Sequence, residues 1–166
     1  MTISGLRPRL AALITAIVVS VGLLSLSSLP AWAAVGSITE FPTPTKSSGP
    51  WGITTGPDGN LWFTESGGNK IGRITTAGSI TEFPIPTTGS VPFSITPGPD
   101  GNLWFTELDG NRIGRITTTG SFTEFKIPST CGYPDGCGPI GITAGPDGNL
   151  WFTEYIGNKL GRLSMQ

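Results

Sequence analysis

Gly56-Pro57-Asp58-Gly59-Asn60-Leu61-Trp62-Phe63-Thr64-Glu65 decides the fold, because the same run returns at Gly98 to Glu107 and again at Gly145 to Glu154. The copies start 42 and 47 residues apart. A period in that range admits β-propeller blades and helical-pair arrays, so the local pattern has to choose between them. It chooses strands: each repeat holds four short segments rich in Ile, Phe, Trp and Thr, separated by Gly, Pro, Asp and Asn, with no apolar periodicity of helical length. The first repeat predicts strands over 52–55, 61–65, 71–75 and 80–83.

Outward from this run, Asn69-Lys70-Ile71-Gly72-Arg73 is answered at Asn111 to Arg115 and Asn158 to Arg162. Ile38-Thr39-Glu40-Phe41 is answered at Ile80 to Phe83 and at Phe122 to Phe125. Pro57-Asp58-Gly59 predicts a hairpin turn, since Pro presets the first turn dihedral and Gly accepts positive φ; this makes Asp58, Asp100 and Asp147 turn residues. Asn69, Asn111 and Asn158, with Gly72, Gly114 and Gly161, are expected to fix the next turn and close packing. Glu40, Glu82 and Glu124 are expected as solvated rim charges. Along the second strand Leu61 and Phe63 face one way and Trp62 the other, so both faces are apolar. A sheet with two apolar faces is sandwiched between neighbours, as radially packed blades are. Trp62, Trp104 and Trp151 are accordingly expected to pack between blades.

The predicted fold is all-β: a partial β-propeller of three four-stranded antiparallel blade repeats over 34–166. Three blades fall short of the usual four to eight. The repeat starts on an outer strand, Ile38 to Phe41, and ends on a third strand, Leu160 to Leu163. Two readings stay open: a head-to-tail homodimer in which Ile38 to Phe41 completes the partner's last blade, or a shortened member of a longer family.

Residues 1–33 read as a secretory signal peptide. Arg7 and Arg9 precede an apolar stretch from Leu10 to about Leu26, and Ala31-Trp32-Ala33 offers a small-x-small cleavage pattern, which predicts a secreted, extracellular protein cleaved after Ala33. A membrane anchor is the competing reading of the same stretch. Net charge is −1 over the 166 residues, with no basic run, so neither nucleic acid nor, after cleavage, a membrane is an expected partner. Cys131 and Cys137 are the two cysteines, and in an exported chain they are expected to form a disulfide. The sequence contains no histidine, so no metal site is completed around the cysteines.

The runs Gly-Pro-Asp-Gly-Asn-Leu-Trp-Phe-Thr-Glu, Asn-Lys-Ile-Gly-Arg-Ile-Thr and Ile-Thr-Glu-Phe resemble the blade repeat of the streptogramin (virginiamycin B) lyases, over nearly all of residues 37 to 164. The resemblance implies a seven-bladed propeller that opens cyclic streptogramin B antibiotics by elimination across an ester bond with Mg²⁺. It also implies catalytic histidines after a Pro at the start of the innermost strand, at the mouth of the central channel. The matching positions are Trp51, Phe93 and Ile140, and none can take a proton. No cofactor is evident in the residues themselves, and Mg²⁺ enters by resemblance alone.

Glu65, Glu107 and Glu154 are the weak catalytic candidates, because a carboxylate can act as base or Mg²⁺ ligand. Their presence in every copy points instead to a shared structural bond, to backbone or to Arg73, Arg115 and Arg162. Positions that differ between copies cluster before the innermost strands. Trp51, Phe93, Ile140 and Tyr133 are the candidate binding residues there, beside the inserted loop of Cys131 and Cys137. Either they form a ligand-binding mouth or they plug the channel. Two functions are carried forward: a non-catalytic scaffold for a small-molecule, peptide or protein ligand, and a Mg²⁺-dependent carbon–oxygen lyase with an unrecognised base.

Overall fold

The computed structural model describes residues 36–129, 131 and 136–166. The expected signal peptide and Tyr133 lie outside them. Eleven strands form three antiparallel sheets. Blade 1 holds β1 (Pro50–Thr55), β2 (Leu61–Glu65), β3 (Lys70–Ile74) and β4 (Ile80–Pro84) in that order. Blade 2 holds β5 (Pro92–Pro97), β6 (Leu103–Glu107), β7 (Arg112–Ile116) and β8 (Phe122–Lys126). Blade 3 holds β9 (Pro139–Ala144), β10 (Leu150–Glu154) and β11 (Lys159–Leu163). The expectation of three four-stranded blades is corrected in one place: Ile38 to Phe41 forms no strand, and the third sheet has three strands. No neighbouring strand edge is present in the described chain to pair with that segment as β3 pairs with β4.

The turns have the causes the sequence supplies. Gly59, Gly101 and Gly148 take positive φ, and the Asp two residues before each Asn accepts that Asn's backbone N–H, at 3.3, 3.2 and 3.2 Å. The same carboxylates accept the indole N–H of Trp62, Trp104 and Trp151 at 2.9, 2.9 and 3.0 Å. One residue thus closes the hairpin and fixes the large aromatic of the following strand. Gly72, Gly114 and Gly161 lie flat against phenylalanine rings: a Cβ on Gly114 would stand 2.1 Å from Phe105 Cζ. Close packing, as expected, excludes any side chain there.

Blades pack through unlike faces. Trp62, Ile71 and Ile85 of blade 1 bury against Ile95, Leu103, Phe105 and Ile116 of blade 2. Trp104, Ile113 and Ile127 of blade 2 repeat the contact against Ile142, Leu150 and Phe152 of blade 3. Trp62 and Trp104 are buried between blades as expected, but Trp151 is exposed because no blade covers its face.

Two further expectations are corrected. Glu82 is no solvated rim charge: it sits 2.6 Å from Lys70 Nζ and accepts hydrogen bonds from Thr45 N at 2.9 Å and Thr45 Oγ1 at 2.6 Å. Glu124 holds Thr87 in the same way, at 3.1 and 2.8 Å. These carboxylates clasp the linker that enters each blade. The arginines do not reach the buried glutamates. Arg73, Arg115 and Arg162 lie over the Trp62, Trp104 and Trp151 rings and approach Asp58, Asp100 and Asp147 at 3.8, 3.6 and 3.9 Å.

Candidate functional site

Each innermost strand carries a β-bulge at its start. Pro50 pairs with Glu65 and Ile53 with Phe63, so Trp51 and Gly52 together face the single residue Thr64. Phe93 and Ser94 face Thr106, and Ile140 and Gly141 face Thr153, in the same manner. A bulge leaves one backbone group out of the ladder and re-aims a side chain. Here the threonine repairs the ladder: Thr64 Oγ1 accepts from Gly52 N at 2.9 Å, Thr106 Oγ1 from Ser94 N at 3.0 Å and Thr153 Oγ1 from Gly141 N at 2.9 Å.

The same hydroxyls reach across blades. Thr64 donates to the Phe93 carbonyl at 2.7 Å, and Thr106 donates to the Ile140 carbonyl at 2.8 Å. Backbone placement at the mouth is therefore set by the preceding blade's threonine. Sequence reading missed this role, although a threonine kept between a phenylalanine and a glutamate in every copy was its visible trace.

The structure brings Trp51 and Phe93 together, with ring centroids 4.3 Å apart and planes at 46°. Trp51 is exposed, whereas Phe93 and Ile140 are half-buried. Ile140 opens into a cleft of about 420 Å³ with Leu108, Asp109, Gly138, Tyr155 and Ile156 on its walls. Cys131 and Cys137 form a disulfide, Cα atoms 5.0 Å apart, and Cys137 is buried beneath the cleft's rim while its N–H donates to Asn111 Oδ1 at 3.1 Å. The cleft's polar side chains are Asp109 and Tyr155, and the rest of its lining is apolar or glycine.

Glu65, Glu107 and Glu154 are buried beneath the turn between the second and third strands. Both carboxylate oxygens of Glu65 and of Glu107 lack a hydrogen-bond partner among the described residues. Burial, helped by the Glu124 charge, pushes the Glu107 carboxyl up to about 7, with the Arg112 charge moderating the rise. Burial and the Glu82 charge raise Glu65 as well. These groups are not presented to the mouth, since Glu107 is wholly buried.

Mg²⁺ needs a near-octahedral set of hard oxygen ligands. Among the described residues one cluster brings three candidate ligand atoms within 4.8 Å of one another, Cys131, Cys137 and Glu154. Its two sulfurs are committed to the disulfide, which leaves one carboxylate; Trp51, Phe93 and Ile140 offer no oxygen, and Asp109 is the single carboxylate on the cleft beside them. The residues present do not fit the ion.

Residues 28–166 match the Virginiamycin B lyase family. The virginiamycin B lyase of Staphylococcus aureus superposes with a TM-score of 0.74 at 53% identity, covering 80% of this chain and 43% of that one. Its catalytically inactive histidine-to-alanine variant, crystallised with quinupristin, gives the same values. Virginiamycin B lyase of Bacillus licheniformis is 50% identical over 38 residues, which is 23% of this chain and 13% of that protein. This chain spans less than half the length of these relatives. From the repeated blade, its bulged inner strand and the match over 28–166, the chain belongs to the virginiamycin B lyase family.

Proposed function

We propose that this chain is an exported, non-catalytic binding scaffold that takes an apolar small molecule or peptide at the mouth formed by Trp51, Phe93 and Ile140. One observation carries the proposal. The bulge that aims a side chain into the mouth is intact in all three blades, while none of the three side chains it aims can take a proton. An elimination needs a base beside the reacting C–H and a group to stabilise the developing charge. Trp51, Phe93 and Ile140 supply no base.

The paired Trp51 and Phe93 rings and the cleft beside Ile140 suit an aromatic or aliphatic body, and Asp109 suits a cationic or N–H group on it. Quinupristin, held by the Staphylococcus aureus relative, is the first ligand to try. Export rests on the expected leader at 1–33 and on the disulfide, which suits an oxidising compartment. The test is titration of tryptophan fluorescence with quinupristin. Saturable quenching, lost in Trp51→Ala and Phe93→Ala but kept in Trp151→Phe, is expected; quenching indifferent to Trp51→Ala overturns the proposal.

A second reading is a Mg²⁺-dependent lyase with Glu107 as base. The observation favouring it is the Glu107 carboxyl near 7, the range of a general base at neutral pH. Incubation with quinupristin and Mg²⁺, followed by fragmentation mass spectrometry, would reveal a ring-opened product of unchanged mass. Its formation, and its loss in Glu107→Gln, would establish the lyase.

A further inference from the structure

Inside the chain, every junction between blades has a donor side and an acceptor side. On the donor side, Trp62 stacks on Phe83 at 5.5 Å and Trp104 on Phe125 at 5.4 Å; both tryptophans are buried against the next blade, while Phe125 stays partly exposed. Thr64 and Thr106 send their hydroxyls to the Phe93 and Ile140 carbonyls. Asn69 donates to the Ile85 and Thr87 carbonyls and accepts from Ser90 N; Asn111 donates to the Ile127 and Ser129 carbonyls and accepts from Cys137 N.

Blade 3 carries the same donor side with nothing on it. Trp151 is 38% exposed where Trp62 and Trp104 are 0% and 2%, and Leu160 is 73% exposed where Ile71 and Ile113 are 0% and 1%. Thr153 keeps its bond from Gly141 N, but among the described residues no carbonyl accepts from its hydroxyl. Asn158 holds the same left-handed turn, φ 49°, as Asn69 and Asn111, with no partner for its amide among the described residues.

Blade 1 carries the acceptor side, likewise uncovered. Trp51 and Ile53 are exposed around a groove of about 270 Å³ walled also by Phe41 and Phe63, and Leu61 is exposed on the same strand as Phe63. Phe41 already stands where an outer-strand residue of a preceding blade stands. A Cβ on Gly78 would meet Phe41 Cε1 at 2.3 Å, as one on Gly120 would meet Phe83 Cε1 at 2.6 Å. Thr45 grips Glu82 as Thr87 grips Glu124.

We infer that a second copy of this chain covers both faces, docked head to tail, with Ile38 to Phe41 of each copy adding as the fourth strand of the other copy's blade 3. The register follows β3 with β4, where Ile71 pairs with Phe83 and Arg73 with Thr81. Leu160 then faces the second copy's Phe41, and Arg162 its Thr39. Trp151 stacks on that Phe41, the Thr153 hydroxyl reaches the Trp51 carbonyl, and Asn158 reaches the Thr43 and Thr45 carbonyls and Ser48 N. A second copy suits both faces because each uncovered side is the complement of the other, residue by residue. The two junctions are equivalent under a two-fold axis, so the assembly closes at six blades, within the usual four to eight. It also completes the mouth: Trp51 of one copy comes to stand next to Ile140 of the other. The inference does not depend on what the mouth binds.

The experiment is light scattering of the purified full chain and of two variants, Phe41→Asp, which spoils the acceptor side, and Leu160→Asp, which spoils the donor side. The mass of two chains is expected for the wild type, and of one chain for each variant alone. An equimolar mixture of the variants retains one intact junction and is expected to return a mass of two chains, which also shows that both variants fold. A wild type of one-chain mass at micromolar concentration, an open ladder of larger species, dimeric single variants, or a mixture of folded variants that stays at one-chain mass each overturns the inference.

Discussion

Replacing Glu107 with glutamine should remove a loss of stability that the wild type suffers on going from acid to neutral pH. The carboxyl is wholly buried, neither oxygen has a hydrogen-bond partner among the described residues, and burial lifts it from 4.5 to about 7. Between those values the folded chain keeps a proton that the unfolded chain releases, so stability is full below about 4.5 and falls as pH rises through about 7. At about 1.4 kcal/mol per pH unit, the ceiling is about 3 kcal/mol, and roughly 2 kcal/mol is expected once partial solvent relaxation is allowed for. Glutamine has nearly the same shape and never ionises. Urea unfolding followed by tryptophan fluorescence at pH 5 and pH 8 should show the wild type weakening by about that amount. The Glu107→Gln variant should change much less, because only Glu65 remains raised by the same cause. Parallel pH profiles for wild type and variant would refute the reasoning, since they would mean that water or a cation already satisfies the carboxylate.

The clasp at Glu82 should behave in the opposite sense. Burial disfavours its charge, but Lys70 and Thr45 hold it at about 2, so its contribution is present above about 4.5 and lost as pH falls through about 2; Glu82→Gln should cost about 1 to 3 kcal/mol at pH 7 and roughly a quarter as much at pH 2.5, read by the same urea titration. In the Phe41→Asp background, held monomeric, Thr106→Val leaves Ser94 N and the Ile140 carbonyl without partners and should cost about 2 to 4 kcal/mol, against less than about 1 kcal/mol for Thr153→Val. Gly114→Ala should destabilise by at least about 3 kcal/mol because its methyl would overlap the Phe105 ring; Phe105→Leu in the same chain should recover part of that loss, and strict additivity in thermal melts would count against the overlap.

What the sequence made legible was whatever is decided locally. Pro57-Asp58-Gly59 dictates its own turn, and the two apolar faces of Leu61-Trp62-Phe63 require neighbours on both sides. What it hid was decided across blades. Glu82 looks like a rim charge until Thr45, 37 residues earlier, is seen bonded to it. Sequence alone left Arg73 available to Glu65, yet register places it opposite Trp62, three residues from Glu65's own partner Lys70 and so on the other face of the ladder. The bulges at Trp51, Phe93 and Ile140 were hidden for a similar reason: the recurring threonine shows in the sequence, but its bond to a backbone N–H of the neighbouring strand does not.

That stand-in explains how this scaffold keeps its mouth while its mouth chemistry changes. At Phe93 and Ile140 the fold uses the carbonyl, which the preceding threonine holds at 2.7 and 2.8 Å, and asks nothing of the side chain. Structure and chemistry are therefore carried by different atoms of one residue. A histidine, a tryptophan or an isoleucine can occupy the position with the same backbone bonds, so the blade repeat can be fully retained when no base is present. The corollary is testable at one residue: Phe93→His should leave stability within about 0.5 kcal/mol of the wild type and place a titratable imidazole against Trp51. Protonation of that imidazole should quench Trp51 fluorescence with a midpoint near pH 6.5, and a variant that unfolds, or one whose fluorescence ignores pH, would show that the side chain at this position is structural after all.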